Sequence, residues 1–177
     1  MTDQRPGPAW TGGDRFPSLA AQDLERTPRQ LPEAFAGEWN LVVVAYRRQH
    51  QTLVDAWVAW HGTVARARPG FECFEVPVLG SIWSPARSFI DGGMAQAVRE
   101  VHARQHTLTV YTNVAKVTYA LDITDTSTIT VLLVDSAGLI QWRTTGLPDE
   151  ESASAVLGLV DGTVDPVDPV SVPDESS

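Results

Sequence analysis

"LVVVAYRRQHQTLVDAW", residues 41–57, decides the fold. Apolar residues run almost unbroken from Leu41 to Tyr46, stop at Arg47, cross a polar turn and resume with helical spacing. A continuous β-branched run is the mark of a strand buried on both faces, as in a parallel sheet. From Thr52 to Val64 the apolar positions Leu53, Val54, Trp57, Val58, Trp60 and Val64 fall on a helix. A strand feeding a helix in this way sets the turn at the carboxyl end of the sheet, where α/β proteins usually keep their sites. That turn contains no cysteine, serine or glycine-rich loop.

Working outward, the same alternation of elements continues. "FECFEVPVL" (71–79) reads as a strand, and a helix is expected from about Gly93 to Arg104. "TLTVYT" (107–112) reads as a third strand, with "VAKVTYAL" (114–121) a short helix after it. "TITVLLVDSAGLIQWRTTG" (128–146) reads as two strands around Asp135–Gly138, where Gly138 supplies the left-handed conformation a hairpin needs. A closing helix is expected over Pro148–Leu159, and a short irregular hairpin with one helical turn precedes the whole, over 16–35. Helical crossovers imply parallel strands and the last hairpin implies an antiparallel edge. The expected fold is therefore α/β: a central mixed sheet with helices on both faces and a short N-terminal hairpin.

Composition limits what such a domain does. The chain has 177 residues, 43% of them apolar, and a net charge of −9 with a pI near 4.7. No basic stripe is available to displace counterions from nucleic acid, so a nucleic-acid partner is not expected. No stretch approaches the ~20 apolar residues that span a bilayer, so direct membrane insertion is not expected either. The opening "MTDQRPGPAWTGGDRF" lacks the basic-then-apolar layout of a signal peptide, and the expected location is cytoplasmic. Residues 1–15 read as a flexible arm, 16–160 as one domain, and 161–177, rich in Pro and Asp, as a disordered acidic tail. A single cysteine excludes an internal disulfide and any paired-cysteine motif.

This order of elements resembles the thioredoxin-like superfamily, in particular its peroxiredoxin-like branch, over most of residues 16–160. The resemblance rests on "NLVVVAYRRQHQTLVDAW", "TLTVYTNVAKVTYALDIT" and "ITVLLVDSAGLIQWRTTG". Within the superfamily, "NLVVVAYRRQ", "VDAW", "EVPVL", "DGGM", "TLTVYT" and "LLVDSAGLIQWRTTG" look most like the mitochondrial ATP synthase assembly factor family. The peroxiredoxin turn implies Pro, Thr and a nucleophilic Cys at positions that here hold Arg48, Thr52 and Asp55. A thioredoxin-type placement sets its cysteines near Gln51 and Val54, and neither is a cysteine. The superfamily's cis-proline falls near Ile129, and the peroxiredoxin arginine at Thr128; both are missing.

Thiol chemistry needs a thiolate, which helix N-termini and neighbouring cations stabilise. A carboxylate there still benefits from the helix dipole, but it cannot reduce a disulfide or a peroxide. The resemblance therefore implies a non-catalytic scaffold of assembly or chaperone type with a protein or peptide partner and no cofactor. Arg47, Arg48 and His50 form a small positive cluster able to orient an acidic peptide or a carboxylate, or else a solvated loop. Asp55 either anchors a ligand at the old nucleophile position or pairs locally. Trp83, Thr128 and Ile129 complete the expected surface, and Gly92–Gly93 offer backbone amides before a helix.

The alternative is a redox enzyme using Cys73, which lies mid-strand between Glu72 and Phe74 with no cation beside it in sequence. A hydrolase pairing Asp55 with His50 lacks a nucleophile and an oxyanion pocket at recognisable spacing. His102 and His106, four apart with only Glu100 beside them, do not amount to a metal site.

Overall fold

The computed structural model describes residues 12–80 and 105–167. The expected helix over 93–104, Trp83, the Gly92–Gly93 pair and His102 lie outside the described residues.

Every residue from Asn40 to Val44 of strand β3 (Trp39–Ala45) is buried, as its unbroken apolar run predicts. Its side chains divide strictly between two cores. Val42 and Val44 join Phe74, Val76, Val78, Leu108, Val110, Val117, Leu132 and Val134 on one face. Leu41 and Val43 join Val54, Trp57, Phe71, Val131, Leu133, Val156 and Leu159 on the other. Helix α1 (Gln51–Val64) and helix α3 (Glu150–Val160) cover this second face, and helix α2 (Val114–Ala120) lies on the first. Helices on both faces of a central mixed sheet are thus observed.

The sheet runs β5-β4-β3-β6-β7, with β4 at Phe71–Leu79, β5 at Val110–Tyr111, β6 at Thr130–Asp135 and β7 at Ile140–Thr145. Strands β3, β4 and β5 are parallel, whereas β6 is antiparallel to both β3 and β7. Here the expectation that a helical crossover leads to a parallel strand is corrected. Helix α2 has seven residues, a rise of about 10 Å, too little to carry the chain to the far end of the sheet. The chain re-enters at the end it left, Thr130 beside Val44, and runs back. The third strand is also shorter than its composition suggests: only Val110–Tyr111 pairs continuously, with isolated bridges at Thr107 and Thr109.

The N-terminal hairpin is present as β1 (Leu19–Gln22) and β2 (Pro28–Leu31). Buried Asp23 closes it, accepting from the Glu25 and Thr27 amides and from Arg29. The single turn after Pro32 is closed by the Phe35 amide donating to the Pro32 carbonyl. Gly138 has φ +83°, as the β6–β7 turn requires, and Asp135 accepts from the Ala137 and Leu139 amides within that turn. At the C-terminus, residues 161–167 wrap α3. The Thr163 and Val164 amides donate to the Gly158 carbonyl, and the Val167 amide donates to Gln141 Oε1 at 2.7 Å. Among the described residues no helix is long and apolar enough to cross a membrane.

Candidate functional site

The carboxyl end of β3 leads through Tyr46 and Arg47 into a 3-10 turn, Arg48–His50, and then into α1. His50 is 3% exposed and ties this turn together. Its Nδ1 accepts from the Tyr46 amide at 3.2 Å, so the ring proton resides on Nε2, which donates to the Ser127 carbonyl at 3.1 Å. The turn after β3 is thereby clipped to the loop before β6, 77 residues away along the chain. Tyr46 reinforces the junction: its hydroxyl hydrogen-bonds Thr130 Oγ1 at 3.0 Å. Burial pushes the Tyr46 phenol up to about 12, partly opposed by the Thr130 bond and by Arg143.

Around this clip lies an exposed polar surface. Arg47, Arg48, Gln49, Gln51 and Thr52 are all exposed at the start of α1. The helix has no side-chain N-cap and no acidic residue in its first turn; it runs on directly from the 3-10 turn, the Gln51 amide donating to the Arg48 carbonyl. Asp125, in the adjoining loop, is held below the usual carboxylate range by hydrogen bonds from the Ser127 side chain and backbone, and less strongly by the charge of Arg47. Of the expected surface residues, Arg47, Arg48, Thr52 and Asp55 are exposed and Thr128 is half-buried. His50 and Ile129 are buried, Ile129 at 0% within the core beside Leu41 and Val131. His50 therefore acts as a strut and Ile129 as packing, and neither presents a face to a ligand. The thioredoxin-type placement at Val54 also falls inside, at 3% exposure. Sequence reasoning missed Tyr46, Ser127 and Thr130. Its one available signal was a tyrosine continuing the inward-facing series Val42, Val44.

Asp55 accepts from Gln51 Nε2 at 2.8 Å, one turn back on the same helix. Glu75 of β4 faces this pair. Burial pushes its carboxyl up to about 7, the charge of Asp55 adds to the rise, and a hydrogen bond from Gln51 opposes it.

Cys73 stands apart from the turn. In register with Leu41, it lies four residues below the Pro77–Ala45 level, or about 13 Å at the usual rise of a parallel strand. It is half-buried and packed against the core beneath α1. Burial pushes its thiol well up, and the charges of Glu75 and Glu72 push it further. Thiolate is disfavoured there, the opposite of what a nucleophilic cysteine needs. His106 bonds Glu72 at 3.1 Å and stacks on Phe74, and among the described residues no three His, Cys, Asp or Glu side chains gather to share a cation.

No protein-family model matches the sequence, and no curated protein does. Solved structures do. The thioredoxin domain of a thiol-disulfide oxidoreductase from Bacteroides vulgatus superposes with a TM-score of 0.55 at 18% identity, over 86% of this chain and 99% of that one. Yeast Sco1 with copper bound gives 0.57 at 14% identity, over 89% and 97%. A hypothetical protein from Sinorhizobium meliloti 1021 gives 0.57 at 14% identity, over 88% and 87%. At such identities the likeness shows the fold alone, and that fold is thioredoxin-like.

Proposed function

We propose that this chain is a non-redox thioredoxin-like binding protein of assembly or chaperone type, acting in the cytoplasm. It holds a protein or peptide partner on the surface formed by Arg47, Arg48, Thr52, Asp55 and the loop carrying Thr128. The observation that carries the reading is the first turn of α1, where the fold's oxidoreductases need a thiol and this chain has none. Its one cysteine lies a strand-half away, packed against the core with its thiolate disfavoured. The motifs that resemble the ATP synthase assembly factor family support the same role. The exposed arginines Arg47 and Arg48, at the entry to the 3-10 turn before α1, favour an acidic segment or a terminal carboxylate as the part of the partner that is held.

Two measurements test this. Disulfide reduction and peroxide consumption by the intact chain should match a Cys73→Ser control, and sustained turnover lost in that variant would overturn the non-redox reading. A labelled acidic peptide should bind the wild type and lose at least tenfold in affinity when Arg47 and Arg48 are both changed to Glu, with the fold retained by circular dichroism. Equal affinity for the two proteins would overturn the surface assignment.

A further inference from the structure

The two partners of His50 admit one protonation state of its ring. Nδ1 lies 3.2 Å from the Tyr46 amide and Nε2 lies 3.1 Å from the Ser127 carbonyl, with the residue 3% exposed. A backbone N–H only donates and a carbonyl only accepts, so Nδ1 keeps its lone pair and Nε2 its proton. A second ring proton has to sit on Nδ1, aimed at the Tyr46 N–H. Two donors then face each other, and the imidazolium charge is buried with them.

The elements packed around the ring do little to compensate that charge. Among the described residues neither ring nitrogen bonds a carboxylate. The ring's own turn brings two cations, Arg47 and Arg48, and α1 has no acidic side chain in its first turn. From the end of β3 the Tyr46 ring stands edge-on at 6.2 Å. The Tyr46 hydroxyl is bonded to Thr130 of β6 and feels the charge of Arg143 on β7. The loop before β6 brings one acid, Asp125, which already accepts from the Ser127 amide at 2.8 Å and interacts with Arg47.

We propose that His50 is a proton-released clip: the neutral ring ties the turn after β3 to the loop before β6, and a protonated ring gives up the Tyr46 amide and frees the turn. Arg47–Thr52 and the loop carrying Ser127 and Thr128 are then held together at neutral pH and part in acid. The inference does not depend on what that surface binds. Linkage gives the sign. The closed clip holds a ring without the second proton, whereas a ring released into water takes one between about pH 8 and pH 5. The contribution of the clip is therefore intact on the alkaline side and lost as pH falls.

The test is amide hydrogen exchange in the full chain at about pH 7.5 and about pH 5.5, corrected for intrinsic rates. Protection of the Tyr46 amide, taken relative to the amides at the centre of β3, should fall roughly fivefold or more between the two. His50→Asn, whose amide oxygen accepts from Tyr46 and takes no proton, should show no such fall. Equal falls in wild type and His50→Asn would overturn the clip, as would a Tyr46 amide whose protection follows that of β3 at both values. Long-range nitrogen NMR of the ring in the unmodified chain decides the matter even where the variant fails to fold. A bare Nδ1 at neutral pH, with the second proton arriving as Tyr46 protection is lost, sustains the proposal. A neutral ring protonated on Nδ1, or a doubly protonated ring beside a still-protected Tyr46 amide, ends it.

Discussion

Replacing His50 by alanine tests how the candidate surface is held together. The ring is 3% exposed and makes two bonds of opposite sense, accepting from the Tyr46 amide and donating to the Ser127 carbonyl. Alanine removes both and leaves a void the size of an imidazole. Ser127 is exposed, so its carbonyl recovers a bond from water, whereas half-buried Tyr46 recovers one for its amide less readily. One poorly satisfied amide costs about 1–3 kcal/mol, and with the lost packing the total is about 2–4 kcal/mol. For a chain of this size that lowers Tm by roughly 5–15 °C. Urea unfolding followed by tryptophan fluorescence measures the loss, because Trp57, on the buried face of α1, lies in the core. The companion variant His50→Asn sets an amide oxygen near the position of Nδ1, so it restores the acceptor for Tyr46 without reaching Ser127. It should recover about half of the loss. A change below about 0.5 kcal/mol in His50→Ala, or His50→Asn no better than alanine, refutes the strut.

Three further outcomes are expected. Cys73 should react with iodoacetamide at neutral pH only once the chain is unfolded, as mass spectrometry with and without denaturant will show, because burial disfavours its thiolate. Gly138→Ala should destabilise by about 1–3 kcal/mol in calorimetry, since φ is +83° and an added Cβ meets Pro32 Cγ at 2.8 Å. The Tyr46 phenol should contribute stability that is intact below pH 10.0 and lost as pH climbs to about 12, and Tyr46→Phe should flatten that alkaline limb of the stability curve.

Much of the fold is legible from local pattern. The boundaries of β4 coincide with "FECFEVPVL", α1 begins within a residue of the expected Thr52, and the Gly138 turn lies where its chemistry demands. The antiparallel entry of β6 is not legible, because it depends on how far seven residues of α2 carry the chain. At the candidate site, Arg47, Arg48, Thr52 and Asp55 were readable as polar residues at a strand-to-helix turn. Ile129 was placed on the surface because the resemblance set it at the cis-proline position, although it sits in the apolar run "TITVLLV" and is core.

Sequence by itself determined the order of elements, the split of β3 between two cores, and the lack of a thiol at the helix start. Each of these is a property of neighbouring residues, carried by a period of two or of 3.6 and by turn chemistry. Tertiary structure alone decided that His50 reaches Ser127 and that Tyr46 meets Thr130. Those partners are separated by 77 and 84 residues, and their encounter depends on strand order and register. No one-dimensional pattern encodes which strands lie side by side, because that choice belongs to the packing of the whole chain.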